Sequence, residues 1–263
     1  MRALLAALIA AVFLVACSSS PSINDETSGW SAQKIYTEAR EEMRGGGWDK
    51  AIKLLESLEA KYPFGRYAQQ AQIDIAYSYW KSNDLTSAVA ACDRFVKLYP
   101  NHEFLDYVYY LRGLVLFNED LGLLGKVSRQ DPTERDSRAS RESFDTFKIL
   151  VDRFPDSKYA DDARLHLKYL VNALARYEVH VAGYYLRRGA YVAAANRAQF
   201  MIQTYPNAPV QEEALYIMMA AYEAMGLNDL RDDTKRVLDR NYPNSVVVRN
   251  KGLQDTRPWW SLW

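Results

Sequence analysis

WDKAIKLLESLEAKYP, residues 48–63, decides the fold. Ile52, Leu55 and Leu58 fall on one helical face, with Leu54 beside them and Glu59 closing the stripe. The closing Tyr62-Pro63 stops the helix, because proline has no N–H to donate and its ring collides with the preceding turn. The same aromatic-proline ending returns as Tyr99-Pro100, Phe154-Pro155, Tyr205-Pro206 and Tyr242-Pro243, with prolines 37, 55, 51 and 37 residues apart. The equal intervals define a period; the other two are that period with 18 and 14 residues inserted. Twelve residues before each proline stand Ala51, Ala88, Ser143, Ala194 and Arg231, and five before stand Leu58, Phe95, Leu150, Met201 and Leu238. Thirteen residues after the first two prolines stand Ala76 and Gly113. Small side chains at fixed places let helix axes approach closely.

This pattern resembles the tetratricopeptide repeat, a helix pair with small residues at the crossing and a proline near its end. The expected fold is all-α: five repeats, about ten helices, stacked as a curved solenoid. Gly45-Gly46-Gly47 and Ser82-Asn83-Asp84 supply turns between helices. The fifth repeat carries Arg231 and Lys235 at positions that are apolar elsewhere, as suits a cap facing solvent. The 18-residue insertion falls at 118–138 in the third repeat; with Gly122, Gly125 and Asp131-Pro132 it reads as a loop. The other insertion precedes Ala182 in a stretch, 158–188, with no proline and one glycine. Fourteen residues are close to four helical turns, so an unusually long helix keeps its apolar face in phase.

The amino terminus reads differently. Met1-Arg2 and an apolar run from Ala3 to Ala16 form a signal-peptide pattern too short to span a bilayer. Leu14-Val15-Ala16-Cys17 resembles the lipobox of bacterial lipoproteins, which implies diacylglycerol on the Cys17 sulfur, cleavage before it and acylation of the new amino group. An ordinary secretory signal with an incidental cysteine is the other reading. Ser18, where aspartate would imply retention at the inner membrane, implies transfer to the outer membrane. The division expected is a signal peptide at 1–16, a lipidated flexible tether at 17–29, repeats 1–2 at 30–100 and repeat 3 at 101–155. Repeats 4–5 follow at 156–243, and an aromatic tail at 244–263.

Loss of residues 1–16 takes only Arg2 from the charge count, leaving 32 basic residues against 33 acidic. So even a balance offers no electrostatic reason to bind nucleic acid. With Cys17 lipidated, Cys92 is the one cysteine left, so no internal disulfide forms and packing must hold the chain. Cys92, between Ala88 and Phe95, reads as a buried small hydrophobe. His102 is expected on the surface after a helix-ending proline, and His166 and His180 are about 21 Å apart on the long helix, too far to share a metal. Asp161-Asp162 and Asp232-Asp233 read as solvated faces. No nucleophile triad, zinc-binding HExxH or phosphate-cradling glycine loop occurs. The expectation is a binding scaffold with no catalytic residues, metal or cofactor.

More specific strings run through the repeats. They are Tyr62-Pro63-Phe64-Gly65-x-Tyr67-x-Gln69-Gln70-x-Gln72-x-Asp74 with Tyr77 and Tyr79, Asp93-Arg94-Phe95, and Asp106-Tyr107-Val108-x-Tyr110-x-Arg112-Gly113. Arg176-Tyr177-Glu178 and Gly189-Ala190-Tyr191-Val192-Ala193, leading to Asn196-Arg197, complete them. Together they resemble the BamD family, lipoproteins of the outer-membrane β-barrel assembly machinery, also called competence lipoprotein ComL. The resemblance implies that the amino-terminal repeats receive the carboxy-terminal β-signal of unfolded outer-membrane proteins. It implies that the carboxy-terminal repeats dock on the periplasmic part of the barrel subunit BamA, with a BamC-like lipoprotein as a further partner in some bacteria.

A β-signal is extended and ends in an aromatic residue, so its receptor needs apolar pockets with polar rims. Tyr62, Phe64, Gly65, Tyr67 and Tyr77 are the candidates, with Tyr79 beside them; Tyr62 and Tyr79 equally suit stacking of neighbouring repeats. Asn196 and Arg197 are candidates for the BamA contact, Arg197 either pairing with an acidic group on the partner or serving a surface salt bridge within the chain. The tail Arg257-Pro258-Trp259-Trp260-Ser261-Leu262-Trp263 departs from the repeat; packing on the fifth repeat, a partner and the membrane interface are all open to it. A periplasmic repeat lipoprotein organising peptidoglycan or DNA-uptake machinery is the alternative function.

Overall fold

The computed structural model describes residues 27–121 and 137–245, with backbone alone for 118–121. Among them are ten helices and no strand: α1 (Ala32–Gly45), α2 (Trp48–Lys61), α3 (Arg66–Lys81), α4 (Leu85–Leu98), α5 (Leu105–Leu121), α6 (Arg138–Arg153), α7 (Ala160–Arg187), α8 (Tyr191–Thr204), α9 (Gln211–Ala224) and α10 (Asn228–Asn241). Each helix packs on the next, and the first helices of neighbouring repeats also touch: α1 on α3, α3 on α5, α7 on α9. Those odd-numbered helices line one side of the solenoid.

The aromatic-proline endings share one backbone. Tyr62, Tyr99, Phe154, Tyr205 and Tyr242 cap α2, α4, α6, α8 and α10 with φ between −124° and −133° and ψ between 61° and 66°. The following proline bars its neighbour from helical angles, so the aromatic residue turns out while its N–H still bonds four residues back. The acceptors are Leu58, Phe95, Leu150, Met201 and Leu238, the repeat positions expected to be apolar, and all five side chains are fully buried. One position thus holds the last helical turn and the core together. Of the crossing residues, Ala51, Ala88, Ser143 and Ala194 are fully buried, whereas Arg231 pairs with Asp232 and Asn228 on the solvent-facing last helix. Gly113 is required for closeness: a Cβ there would lie 2.6 Å from the buried Phe147 ring, and the Ser143 hydroxyl donates to the Gly113 carbonyl at 2.9 Å.

The long helix is present, 28 residues in α7, or about 42 Å. Ala160, Ala163, Leu170, Leu174 and Ala182 are buried along it, so the insertion keeps the apolar face in register. Two boundaries differ from expectation. In the third repeat, where a loop is expected at 118–138, the backbone of α5 continues to Leu121 and Arg138 opens α6; residues 122–136 lie outside the described residues. The tether expected to 29 ends earlier. Thr27 is buried, its hydroxyl 2.7 Å from that of Ser57 and 2.6 Å from the Lys61 ammonium that donates to it. Cys17 and the Trp-rich tail lie outside the described residues, and no described helix is long and apolar enough to cross a membrane.

His102 is not on the open surface. It packs edge-on against Phe95 at 5.1 Å, and its Nδ1 accepts from the Phe104 amide. His166 stacks on Phe147 at 5.0 Å and faces Asp162 at 3.2 Å, so Asp162 is not simply solvated; it also accepts from Tyr110. Burial pushes the Cys92 thiol up to about 12, which leaves it protonated and inert.

Candidate functional site

The inner side of the first three repeats carries a row of aromatic and polar residues. On α3 the residues Tyr67, Gln70, Asp74 and Tyr77 follow each other at three- and four-residue steps, one stripe of a helix. Asp74 is the hub. It is 4% exposed and accepts the Tyr36 hydroxyl of α1 at 2.8 Å and Gln70 at 3.2 Å, with the Arg40 guanidinium at 3.4 Å. Burial outweighs these partners and raises the Asp74 carboxyl above the usual carboxylate range; burial, and then Asp74 itself, raises the Tyr36 phenol. The folded state therefore holds the Asp74 proton more tightly than the unfolded chain does. The stability linked to that proton is full at pH below the unfolded carboxylate value and is lost as pH rises through the folded one. Relative to Asp74→Asn, the wild type should gain urea resistance on acidification through this range; a pH-independent difference would contradict this.

Tyr67 sits at the mouth of the stripe. Its ring lies 5.5 Å from Tyr36, with the Arg66 guanidinium 5.0 Å above it. Beyond Ile73 the row continues onto α5 and α7, where Tyr107 meets Tyr159 at 5.5 Å and Tyr110 stacks on Tyr159 at 4.7 Å. Burial, first, and its aromatic and acidic neighbours raise the Tyr107 phenol. Across the second, third and fourth repeats Tyr107 and Tyr159 floor a recess of about 510 Å³.

The sequence-derived candidates do not form one pocket. Phe64 is 91% exposed in the turn between the first two repeats. Gly65 beside it has φ 99° and ψ 177°, a region open essentially to glycine alone. Gly65→Ala should therefore cost about 1–3 kcal/mol although no atom blocks a Cβ; an unchanged urea midpoint would show that the turn relaxes. Tyr62 points back within the first repeat, its hydroxyl donating to the Trp30 carbonyl at 2.8 Å. Tyr77 stands about 15 Å along the helix from Tyr67, between Trp48 at 6.0 Å and Trp80 at 5.8 Å. Tyr79 turns outward to donate to Glu56.

In the fourth repeat, Asn196 is exposed on α8, while Arg197 reaches inward to Glu178 of α7 at 2.8 Å. Arg141 of α6 takes the other Glu178 oxygen at 2.8 Å, and Glu178 is fully buried. The intrachain salt bridge left open for Arg197 is thus present, with about a third of its side chain still exposed. Sequence reading missed Tyr36, Arg40, Tyr159 and Arg141 as members of these clusters. Their partners Asp74, Tyr107 and Glu178 stand 34 to 52 residues away in the chain, beyond the reach of any local pattern. Among the described residues no group of three histidine, cysteine or acidic side chains is placed to hold a metal.

A family model described as outer membrane lipoprotein, YfiO, matches residues 29–238. The outer membrane protein assembly factor BamD of Neisseria meningitidis serogroup B is 44% identical over all of both chains. BamD of Vibrio cholerae is 38% identical over 90% of this chain and 97% of its own. A solved structure described as the TPR2AB-domain:pHSP90-complex of yeast Sti1 overlaps 82% of this chain and 79% of that one at 12% identity, with a TM-score of 0.43. The residues that build the turn, the groove and the buried arginine bridge all lie within the family match, and the chain belongs to the BamD family of outer membrane lipoproteins.

Proposed function

We propose that this chain is a lipid-anchored scaffold of outer-membrane protein assembly, held on the periplasmic face of the outer membrane through Cys17. Its amino-terminal repeats receive unfolded outer-membrane proteins by their carboxy-terminal β-signal, and its carboxy-terminal repeats dock on BamA beside BamC-like lipoproteins. The observation that carries this reading is the inner row of Tyr36, Tyr67, Tyr107 and Tyr159, interleaved with Asp74 and Gln70. Such a row offers flat apolar area for an aromatic side chain and fixed polar atoms for an extended backbone. Phe64, Gly65 and Tyr67 form its entrance; Tyr62 holds that entrance on the first helix pair, and Tyr77 closes the far end. The relatives' role in assembly, printed in their names, supports the same reading. At the other end, exposed Asn196 and the solvent edge of Arg197 form the BamA contact.

A β-signal peptide with a photo-crosslinker at its terminal aromatic residue tests the groove. Phe64→Ala with Tyr67→Ala should reduce crosslinking about tenfold, the scale of losing one aromatic anchor of about 1–2 kcal/mol. Unchanged crosslinking would count against the entrance.

A further inference from the structure

We propose that the recess across the second, third and fourth repeats selects segments in which a lysine or arginine stands next to the aromatic or aliphatic residue that enters it. The inference rests on the groove reading above and names the chemistry of the ligand. The floor is apolar: Ile73, Tyr107 and Tyr159 meet there. The walls are two inter-repeat turns, one carrying Glu103 and Phe104 and the other Asp156 and Lys158. Each turn follows an aromatic-proline ending, so the repeat itself brings them to one edge.

The charges on these walls are unequal in number and in availability. Asp106 is occupied, accepting the Ser157 hydroxyl at 2.6 Å and the Tyr107 amide at 2.7 Å. Lys158 is drawn over the Tyr159 ring at 5.0 Å. Glu103 and Asp156 are exposed on the recess lining, and neither pairs with another described residue. Two uncommitted carboxylates therefore face an aromatic-floored recess whose one ammonium is already on a ring. Phe104, 42% exposed, adds an apolar edge beside them. An apolar side chain fills the floor while a neighbouring cation reaches the rim; an anion at that place meets repulsion from both carboxylates.

The experiment uses two fluorescent carboxy-terminal peptides that end in the same aromatic residue and differ in one position beside it, lysine in one and glutamate in the other. Fluorescence anisotropy with the full chain should give about tenfold tighter binding of the lysine peptide at low salt, a gap that closes at high ionic strength. Glu103→Gln with Asp156→Asn should reduce the gap below about twofold while both peptides still bind. Asp229→Asn with Asp233→Asn, on the outer α10, should leave the gap intact. Equal affinity of the wild type for both peptides, or a gap that survives in the recess variant, overturns charge selection and leaves the groove reading standing. Failure of both peptides to bind overturns the two together.

Discussion

Glu178→Ala is expected to destabilise the solenoid by about 1–3 kcal/mol, because it removes a fully buried carboxylate from two guanidinium groups that stay partly open to water. For a chain of this size that is a fall in melting temperature of roughly 2–12 °C. The carboxylate joins three consecutive helices, α6, α7 and α8, so the loss falls on the seam between the third and fourth repeats. In a stack that is stabilised by neighbour contacts, weakening one seam uncouples the two halves. Thermal unfolding should then split into two transitions, and a single transition at the wild-type temperature would refute the account. Arg141→Ala should cost less than Glu178→Ala, since Glu178 keeps one of its two guanidinium partners. Arg197→Ala also separates the two roles of that side chain: loss of BamA capture at unchanged melting supports a partner contact, whereas loss of capture together with lowered melting marks the bridge.

Cys17→Ser should move the protein from the membrane pellet to the soluble periplasmic fraction. Each buried methylene contributes about 0.8 kcal/mol, one chain binds marginally, and two hold firmly. No described helix offers a replacement anchor, so retention of the variant in the pellet would overturn lipidation as the means of attachment. Thr27 sharpens what the anchor does. It is fixed against Ser57 and Lys61, so at most ten residues' reach, roughly 35 Å fully extended, separates Cys17 from the first repeat. A lipid on Cys17, as proposed above, would therefore raise local concentration and limit how far Phe64, a few residues from Lys61, stands from the membrane.

The repeat was legible from five dipeptides. Proline dictates the backbone of the residue before it, and that residue's amide bonds to the apolar position four back, so a one-dimensional period encodes a three-dimensional turn. The length of α7 was legible for a similar reason, since an insertion of four whole turns leaves a helical face in phase. The placement of the candidate aromatic residues was legible only in part. The sequence places Phe64 and Gly65 directly after Tyr62-Pro63, and the structure adds that Phe64 is exposed and Gly65 holds a glycine-only backbone; Tyr77 was grouped with them although helical rise sets it about 15 Å from Tyr67. Composition could not separate the two tyrosines, because each satisfies the helical period. The Tyr36–Asp74 and Arg141–Glu178–Arg197 contacts depended on which repeats stack face to face.

For this protein, then, the order of residues alone determined the pairing of helices and the aromatic-proline end of the second helix in each pair, because those follow from local sterics and apolar period. Tertiary structure decided which polar groups meet. The Asp74 hub, the buried Glu178 and the acid-rimmed recess join residues on different helices, from about half a repeat to more than one repeat apart. Their chemistry comes from burial, and burial exists only once the repeats have stacked.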